Sequence, residues 1–192
     1  MKHLKYCPKC GQETLIFDGE KKFSCSQCDF VMYHNCAAAV AVLIRCEDEL
    51  LLTKRNQNPK IGKLDVAGGF TDPKESAEET CSRELKEELG IEIDLNNLKF
   101  VGSLPNVYHY KEVDYNTLDL FFEYRVEEKI EIKKLEAHEI SETIWVKISE
   151  LNLEEIAFDS QRKFLENYQK IVLLNKLILV VMLIFFVYKK SK

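Results

Sequence analysis

The chain has 192 residues, 46% of them apolar and 31% charged, a composition typical of a globular protein rather than a disordered one. This length suits one domain of ordinary size with a small appendage. The formal net charge of −5 argues against a broad basic surface for nucleic acid, because phosphate binding depends on clustered Lys and Arg. Any anionic substrate therefore requires local cations or a bound metal.

Four cysteines near the N-terminus form two pairs with C-x2-C spacing, separated by fourteen residues. They are Cys7, Cys10, Cys25 and Cys28. Thiolates at this spacing are typical of a closed, structural zinc site. Unrelated thiols or two redox pairs are the alternatives, but a redox pair normally opens a helix in a thioredoxin-like unit, which the surrounding sequence lacks. The runs on either side of Asp18-Gly19 predict a hairpin, so we expect a small zinc ribbon over residues 1–35.

No apolar run of a secretory signal is found in the opening stretch MKHLKYCPKC. We therefore expect a cytoplasmic location, where paired cysteines more often hold metal than form disulfides.

Residues 36–170 contain several strand-like runs and one strongly helical segment. The runs are AAAVAVLIRC, ELLLTKR, IEID, LKFVGSL, TLDLFFEYRV and TIWVKI. In the helical segment, Ser76 and Glu79 are spaced as a capping box, and Gly90 is placed as a helix stop. A closing amphipathic helix is predicted in AFDSQRKFLENYQK. We therefore expect an α/β (α+β) domain with a mixed β-sheet sandwiched between helices.

The helical segment has an acidic face formed by Glu84, Glu87 and Glu88. Like charges at these helical spacings destabilise a helix by roughly 0.2–0.5 kcal/mol per pair. A hard divalent cation such as Mg2+ favours oxygen ligands and would turn the repulsion into coordination. The opposite side of the segment is apolar, so the helix can pack while its acids face outward. A solvated charged surface is the alternative explanation.

The stretch GFTDPKESAEETCSRELKEELGI carries a longer pattern. Gly69 is followed after five residues by Glu75, and after seven more by RELKEELGI, which begins at Arg83. This pattern resembles the Nudix box, G-x5-E-x7-R-E-U-x-E-E-x-G-U with U an apolar residue, and every fixed position is filled. The resemblance implies a Nudix fold and hydrolysis of a nucleoside diphosphate linked to another group, with water attacking a phosphorus of the pyrophosphate.

The resemblance also implies roles for the matching residues. Glu87 and Glu88 are the expected main ligands of Mg2+ or Mn2+, and Glu84 is a further ligand or the general base. The carbonyl of Gly69 is expected to complete the metal shell. Arg83 and Glu75 are expected to pair and hold the loop against the helix.

A further acidic ligand in the family often precedes a strand that contains Trp. In AHEISETIWV the first choice is Glu139 and the second is Glu142. A simple surface acid is an equally good description of either residue.

A four-cysteine ribbon directly before a Nudix domain is similar to the layout of the NADH pyrophosphatase group. That group follows the box with a Ser-Gln-Pro-Trp type motif, whereas GSLPNVYHY here has Leu104 and Asn106 in place of Gln and Trp. Tyr108 and Tyr110 are candidates for stacking on a base, with cross-strand packing as the alternative.

Two cations before the box, Arg55 and Lys63, are candidates for phosphate contacts, with solvated surface cations as the alternative. The expected substrate is a small nucleotide such as NADH or ADP-ribose. A non-catalytic nucleotide-sensing Nudix regulator is the alternative function, but the intact acidic set favours an enzyme.

The C-terminal segment 171–192 is an apolar tail whose stretch 171–188 reads IVLLNKLILVVMLIFFVY. Eighteen residues is near the lower length of a membrane span, and Asn175 and Lys176 interrupt it. A membrane tether is one expectation for this tail. A buried closing helix or a homodimer contact is the second, and an accidental extension of a domain that is complete near Lys170 is the third.

Overall fold

The computed structural model describes residues 4–111, 113–132 and 135–190. The first three residues of the predicted ribbon and the last two of the predicted tail lie outside these ranges. The described residues fall into two compact units, one made of 4–37 and 107–117, the other of 38–106 and 118–190.

The first unit contains a three-stranded antiparallel sheet in the order β1-β2-β3. Its strands are β1 (Leu15–Phe17), β2 (Lys22–Cys25) and β3 (Val31–Tyr33). The predicted turn at Asp18 joins β1 to β2, and its carboxylate accepts hydrogen bonds from the backbone N–H groups of Glu20, Lys21 and Lys22. The strand β3 was not predicted from the sequence, because its three residues, VMY, are all apolar and lack the alternation of polar and apolar positions that indicates a strand.

Most of a six-stranded sheet lies in the second unit, in the order β6-β5-β4-β8-β7, with β9 paired to β5; residues 107–110 of β7 and 113–117 of β8 are counted with the first unit. The strands are β4 (Ala37–Cys46), β5 (Glu49–Arg55), β6 (Leu64–Asp65), β7 (Leu98–Tyr110), β8 (Val113–Val126) and β9 (Ile140–Lys147). β5 pairs antiparallel with β4, β6 and β9. The buried residues of β4 and β5 are continuous, as expected for strands covered on both faces.

Two helices pack on the two faces of the sheet, α1 (Ala77–Leu89) on one face and α2 (Asp159–Lys190) on the other. One apolar core contains Leu165 and Tyr168 of α2 together with residues of β4 and β5. A second core contains Cys81 and Leu85 of α1 together with the alternate residues of the same strands. The predicted sandwich of a sheet between helices is therefore confirmed.

The predicted strand IEID is wrong. Ile91 is buried in the α1 core, but the chain then forms a short 3-10 turn over Leu95–Asn97 instead of joining the sheet. The Asp94 carboxylate caps this turn by accepting from the Asn96 N–H at 3.0 Å. Asp and Asn form such side-chain caps readily, and here the turn prevails over a short apolar alternation.

The closing helix runs further than expected, because α2 continues into the apolar tail. Val172 is its last buried residue among the described side chains, at 6% exposure. Beyond it, Leu177 is 61% exposed and Lys176 pairs with Asp48 at 3.0 Å. Within the described parts of the chain, no helix is both long and apolar enough to cross a membrane.

Two truncations separate the packed part of α2 from the exposed part. A chain ending at Leu174 retains Val172 and should unfold at the same temperature as the full chain. A chain ending at Ile171 loses Val172 and should be about 1.5–3 kcal/mol less stable, the range for fully burying one such side chain. Thermal and urea unfolding measure both. Equal destabilisation of the two chains would show that the exposed part contributes packing.

Candidate metal and active site

The orientation of α1 follows from its caps and its apolar side. The Ser76 hydroxyl accepts from the Glu79 N–H at 3.1 Å, and the Glu79 carboxylate accepts from the Ser76 N–H at 2.7 Å. Gly90 ends the helix in the left-handed conformation, with φ of 66°. With Leu85 buried in the core below, the acidic residues of the Nudix box must face away from that core.

Two glycines bring the loop before α1 against these acids. The Gly68 N–H donates to Glu88 Oε2 at 3.1 Å. A Cβ at Gly68 would lie 2.1 Å from the carbonyl oxygen of Val40, and one at Gly69 would lie 2.4 Å from Glu84 Oε1. Only glycine therefore allows this approach at either position without a shift of its neighbours. The Gly69 carbonyl accepts from the Val40 N–H at 2.8 Å, which uses one of its two lone pairs.

Arg83 links the loop to three acids. Its Nε and Nη2 donate to the two carboxylate oxygens of Glu75 at 2.8 and 3.0 Å, and Nη2 also donates to the Phe70 carbonyl at 3.0 Å. Its Nη1 donates to Glu84 at 2.7 Å and to Glu87 at 3.1 Å. The hydrogen bonds from Arg83 lower the pKa of Glu75 to about 2. The two-pronged pairing is the geometry in which guanidinium–carboxylate contacts are strongest.

Glu84 and Glu88 are unfavourably placed for ionisation in the protein without a cation. Burial raises the pKa of Glu84, and the charges of Glu87 and Glu139 add to the rise, which outweighs the effect of Arg83. Burial raises the pKa of Glu88 well above its usual value, with further contributions from Asp65, Glu84 and Glu139. These shifts show that the predicted ligand Glu139 acts electrostatically on both acids. Half-buried carboxylates of this kind fit a hard divalent cation.

The carboxylate oxygens of the described acidic residues do not converge on one point as the ligands of a closed metal site do. Among the described residues, the four cysteines are the group of three or more ligand side chains whose donor atoms lie within 4.8 Å of one another. Glu87 remains largely exposed, and its carboxylate pairs with Arg83. Glu142, the second choice for the outer ligand, instead pairs with Lys54 at 2.7 Å.

A buried polar cluster of Arg55, Asp65 and Gln161 beside this site was not predicted from the sequence. Arg55 Nη1 donates to Asp65 Oδ2 at 2.5 Å, and both side chains are about nine-tenths buried, at 12% and 10% exposure. The Arg55 guanidinium also lies over the Phe158 ring, 4.8 Å from its centroid. Gln161 of α2 donates to the other Asp65 oxygen at 2.6 Å. The only signal in the sequence was a single acid in the apolar run LDVAGGF, which is weak evidence for a partner.

The candidate substrate-binding residues are distributed differently. Arg55 is engaged by Asp65, as described, and Lys63 contacts the Glu155 carboxylate at 3.3 Å and the Glu154 carbonyl at 3.2 Å. Tyr108 and Tyr110 belong to the first unit, where their rings stack with centroids 6.2 Å apart. Arg55 and Lys63 belong to the second unit.

The cysteines of the first unit have the geometry of a tetrahedral site. Cys7 and Cys28 sulfurs are 3.8 Å apart, and so are those of Cys10 and Cys25. Zn–S bonds of about 2.3 Å in a tetrahedron require sulfurs about 3.8 Å apart, so the cluster suits zinc. The Thr14 hydroxyl lies 3.0 Å from the Cys25 sulfur, and with two backbone N–H groups it lowers the pKa of that thiol to about 6. This favours the thiolate of Cys25, the form that binds metal. Against the effect of the Phe30 N–H, burial and the neighbouring thiols raise the pKa of Cys28 to about 12.

Comparison with known proteins agrees with this geometry. The sequence profile of the NUDIX domain matches residues 34–168. The NAD-capped RNA hydrolase NudC of Pseudomonas fluorescens is 36% identical over 99 residues, which cover 52% of this chain and 35% of that protein. The NAD-capped RNA hydrolase NudC of Photobacterium profundum is 27% identical over 151 residues, which cover 76% of this chain and 51% of that protein. The chain thus spans about half or less of the length of these relatives.

A crystal structure of a NUDIX hydrolase from Nitrosomonas europaea superposes with a TM-score of 0.62 at 21% identity, covering 87% of this chain and 91% of the other. A likeness at this identity establishes the fold. A sheet between two helices, with a glycine loop that meets an acidic helix, defines a protein of the Nudix fold. With most of its length matched by the domain profile, the chain belongs to the NUDIX domain family.

The raised pKa of Glu88 predicts how stability depends on pH in the absence of divalent cations. Because the folded state holds this proton more tightly, the unfolded state ionises first as pH rises above about 4.5, and the free energy of unfolding falls. Glu88→Gln removes this effect and should raise the free energy of unfolding at pH 7. Urea unfolding from pH 4 to 8 measures it.

The matched control is Glu92→Gln, because Lys86 lowers the pKa of Glu92 and its loss should give no stabilisation. Mn2+ should raise the unfolding temperature of the unaltered protein and have little effect on the Glu88 variant. If the Glu88 variant had the same pH dependence of unfolding as the unaltered protein, this result would contradict the raised pKa assigned to Glu88.

Proposed function

We propose that the protein is a divalent-metal-dependent pyrophosphohydrolase that cleaves the pyrophosphate bond of a nucleoside diphosphate linked to another moiety. The observation that carries the proposal is the set of acids on α1, of which Glu84 and Glu88 are held half-buried with raised pKa values beside a glycine loop. Such a set is costly to the fold without a cation and suits phosphoryl chemistry with one.

The acidic residues have different roles in this proposal. Glu87 and Glu88 hold the metal, with Glu139 and the Gly69 carbonyl as further oxygen donors. Mg2+ or Mn2+, when bound, neutralises phosphate oxygens and lowers the pKa of an attacking water. Glu84 acts as a further ligand or as the base that accepts the proton of that water.

Arg83 and Glu75 have a supporting role in this proposal. The fork from Arg83 to Glu75 and to the Phe70 carbonyl keeps the loop after Gly69 against α1. It therefore fixes the Gly69 carbonyl relative to the carboxylates.

Substrates of the NADH and ADP-ribose type are the ones we propose to test first, because two relatives are named for hydrolysis of NAD-capped RNA. In the segment where the NADH pyrophosphatase group carries Gln and Trp, Asn106 donates to Asp119 at 3.0 Å. We propose that Tyr108 and Tyr110 stack on the base and that Arg55 and Lys63 serve the phosphates. A non-catalytic regulator is not supported.

Activity on a substrate panel tests the proposal. The purified full chain should cleave at least one of NADH, ADP-ribose, dinucleoside polyphosphates or nucleotide sugars with Mg2+ or Mn2+. Glu87→Gln should lower kcat by about 100-fold or more, because it removes a metal ligand. Glu78→Gln, on the exposed first turn of the same helix, is the matched control and should change kcat less than twofold. Lack of cleavage across the panel, or full activity of the Glu87 variant, would contradict the proposal.

We also propose that the cysteine cluster binds one structural zinc ion. Elemental analysis should give about one zinc per chain, and Cys25→Ser should lose it together with the fold of β1 and β2, because a segment this small depends on its metal. Cys36→Ser is the matched control, since Cys36 is exposed and outside the cluster. Retention of zinc by the Cys25 variant would exclude this site.

A cytoplasmic location, and domain boundaries near residues 35 and 170, are part of the same proposal. Contact of 171–188 with a membrane and homodimerisation through this tail remain predictions. Vesicle flotation and sedimentation of the full chain beside the chain ending at Leu174 distinguish the two.

A further inference from the structure

The segment from Leu64 to Gly69 positions a backbone group at the acidic site. This group is the Gly68 N–H, which donates to Glu88 Oε2 at 3.1 Å. The Gly69 carbonyl, which we propose as a metal donor, accepts from the Val40 N–H. The segment has little freedom on its β4 side, where Val42 N–H donates to the Ala67 carbonyl at 2.8 Å. Its backbone is also too close to Val40 to accept a Cβ at Gly68.

The other side of the segment is held from α2 and the turn before it. The Ala157 N–H donates to the Leu64 carbonyl at 2.8 Å. The Gln161 amide then makes two contacts with consecutive residues: its Nε2 donates to Asp65 Oδ1 at 2.6 Å, and its Oε1 accepts from the Val66 N–H at 3.2 Å. Gln161 and Asp65 are both more than nine-tenths buried as whole residues, at 8% and 7% exposure.

Only a side chain that both donates and accepts can make this pair of contacts. The Val66 N–H is shared with Asp65 Oδ1 at 2.9 Å, and the second Asp65 oxygen is taken by Arg55. The Gln161 amide thus completes the hydrogen bonding of a buried acid and fixes a peptide two residues before Gly68. Without the Gln161 amide, the Val66 N–H would keep Asp65 Oδ1 as its acceptor, and Asp65 Oδ1 would lose its donor from α2.

We infer that Gln161 is a positioning residue of the metal site, which through Asp65 and Val66 sets the Gly68 N–H against Glu88. This inference rests on the proposed function, because it takes Glu88 to be a metal ligand. Groups that hold a ligand in place typically change metal affinity by about 10- to 100-fold when removed. Gln161 therefore tunes a site on α1 from the opposite helix of the sandwich.

The test uses the zinc-loaded full chain and two variants of the same helix. Gln161→Leu removes both contacts with little change of volume. Gln169→Leu is the matched control, because the Gln169 Nε2 also donates to a backbone carbonyl, that of Ile148 at 2.6 Å, without contact to the segment before the box. Mn2+ affinity is measured by the electron paramagnetic resonance signal of free Mn2+, and amide hydrogen exchange follows peptides that cover residues 64–70.

We expect Gln161→Leu to bind Mn2+ about tenfold more weakly or worse and to exchange the Val66 and Gly68 amides faster, with Gln169→Leu within twofold of the unaltered protein in both. A structural role alone would lower the unfolding temperature of both variants without this difference. Unchanged Mn2+ affinity in Gln161→Leu, or equal losses in the two variants, would overturn the inference.

If Gln161→Leu does not fold, Gln161→Glu replaces it. This variant keeps the oxygen that accepts from Val66 but places a carboxylate against Asp65, and the same weakening of Mn2+ binding is expected. Wild-type Mn2+ affinity in this variant overturns the inference. Failure of the proposed function is recognised separately, as Mn2+ binding that Glu88→Gln leaves unchanged, while the exchange of residues 64–70 still reports on Gln161.

Discussion

The hydrogen bond from the Gly68 N–H to Glu88 is the contact on which the organisation of the second unit depends. It requires a loop without a Cβ at Gly68, pressed against β4, and a helix whose carboxylates turn away from the core. The capping box, the apolar side of α1 and the length of β4 all serve to bring these two pieces of chain together. Without the contact, a buried carboxylate would be left with like charges as its main neighbours.

Local pattern was sufficient for three features whose partner residues lie a few positions apart in the sequence. The capping box at Ser76, the stop at Gly90 and the hairpin at Asp18 each depend on residues within a few positions, and the structure has all three. The two faces of the sheet also follow from local pattern, because continuous apolar runs such as AAAVAVLIRC require cover on both sides.

Contacts between distant segments could not be predicted in this way. Asp65 and Gln161 are 96 positions apart, and neither belongs to a spacing pattern that would indicate its partner. The same limit applies to the buried ion pair of Arg55 with Asp65, which no spacing pattern in the sequence indicates. The strand expected at IEID failed for a different reason, since the capping preference of Asp94 outweighed four residues of alternation.

The placement of Arg83 has a thermodynamic consequence for the cation. Its Nη1 already contacts Glu84 and Glu87, so the acidic cluster holds an internal positive charge before any ion arrives. At the proposed metal site, binding of a divalent cation would replace the Nη1 contacts of Arg83, and the affinity would be the difference between two sets of contacts. The Arg83 guanidinium would keep its ion pair with Glu75.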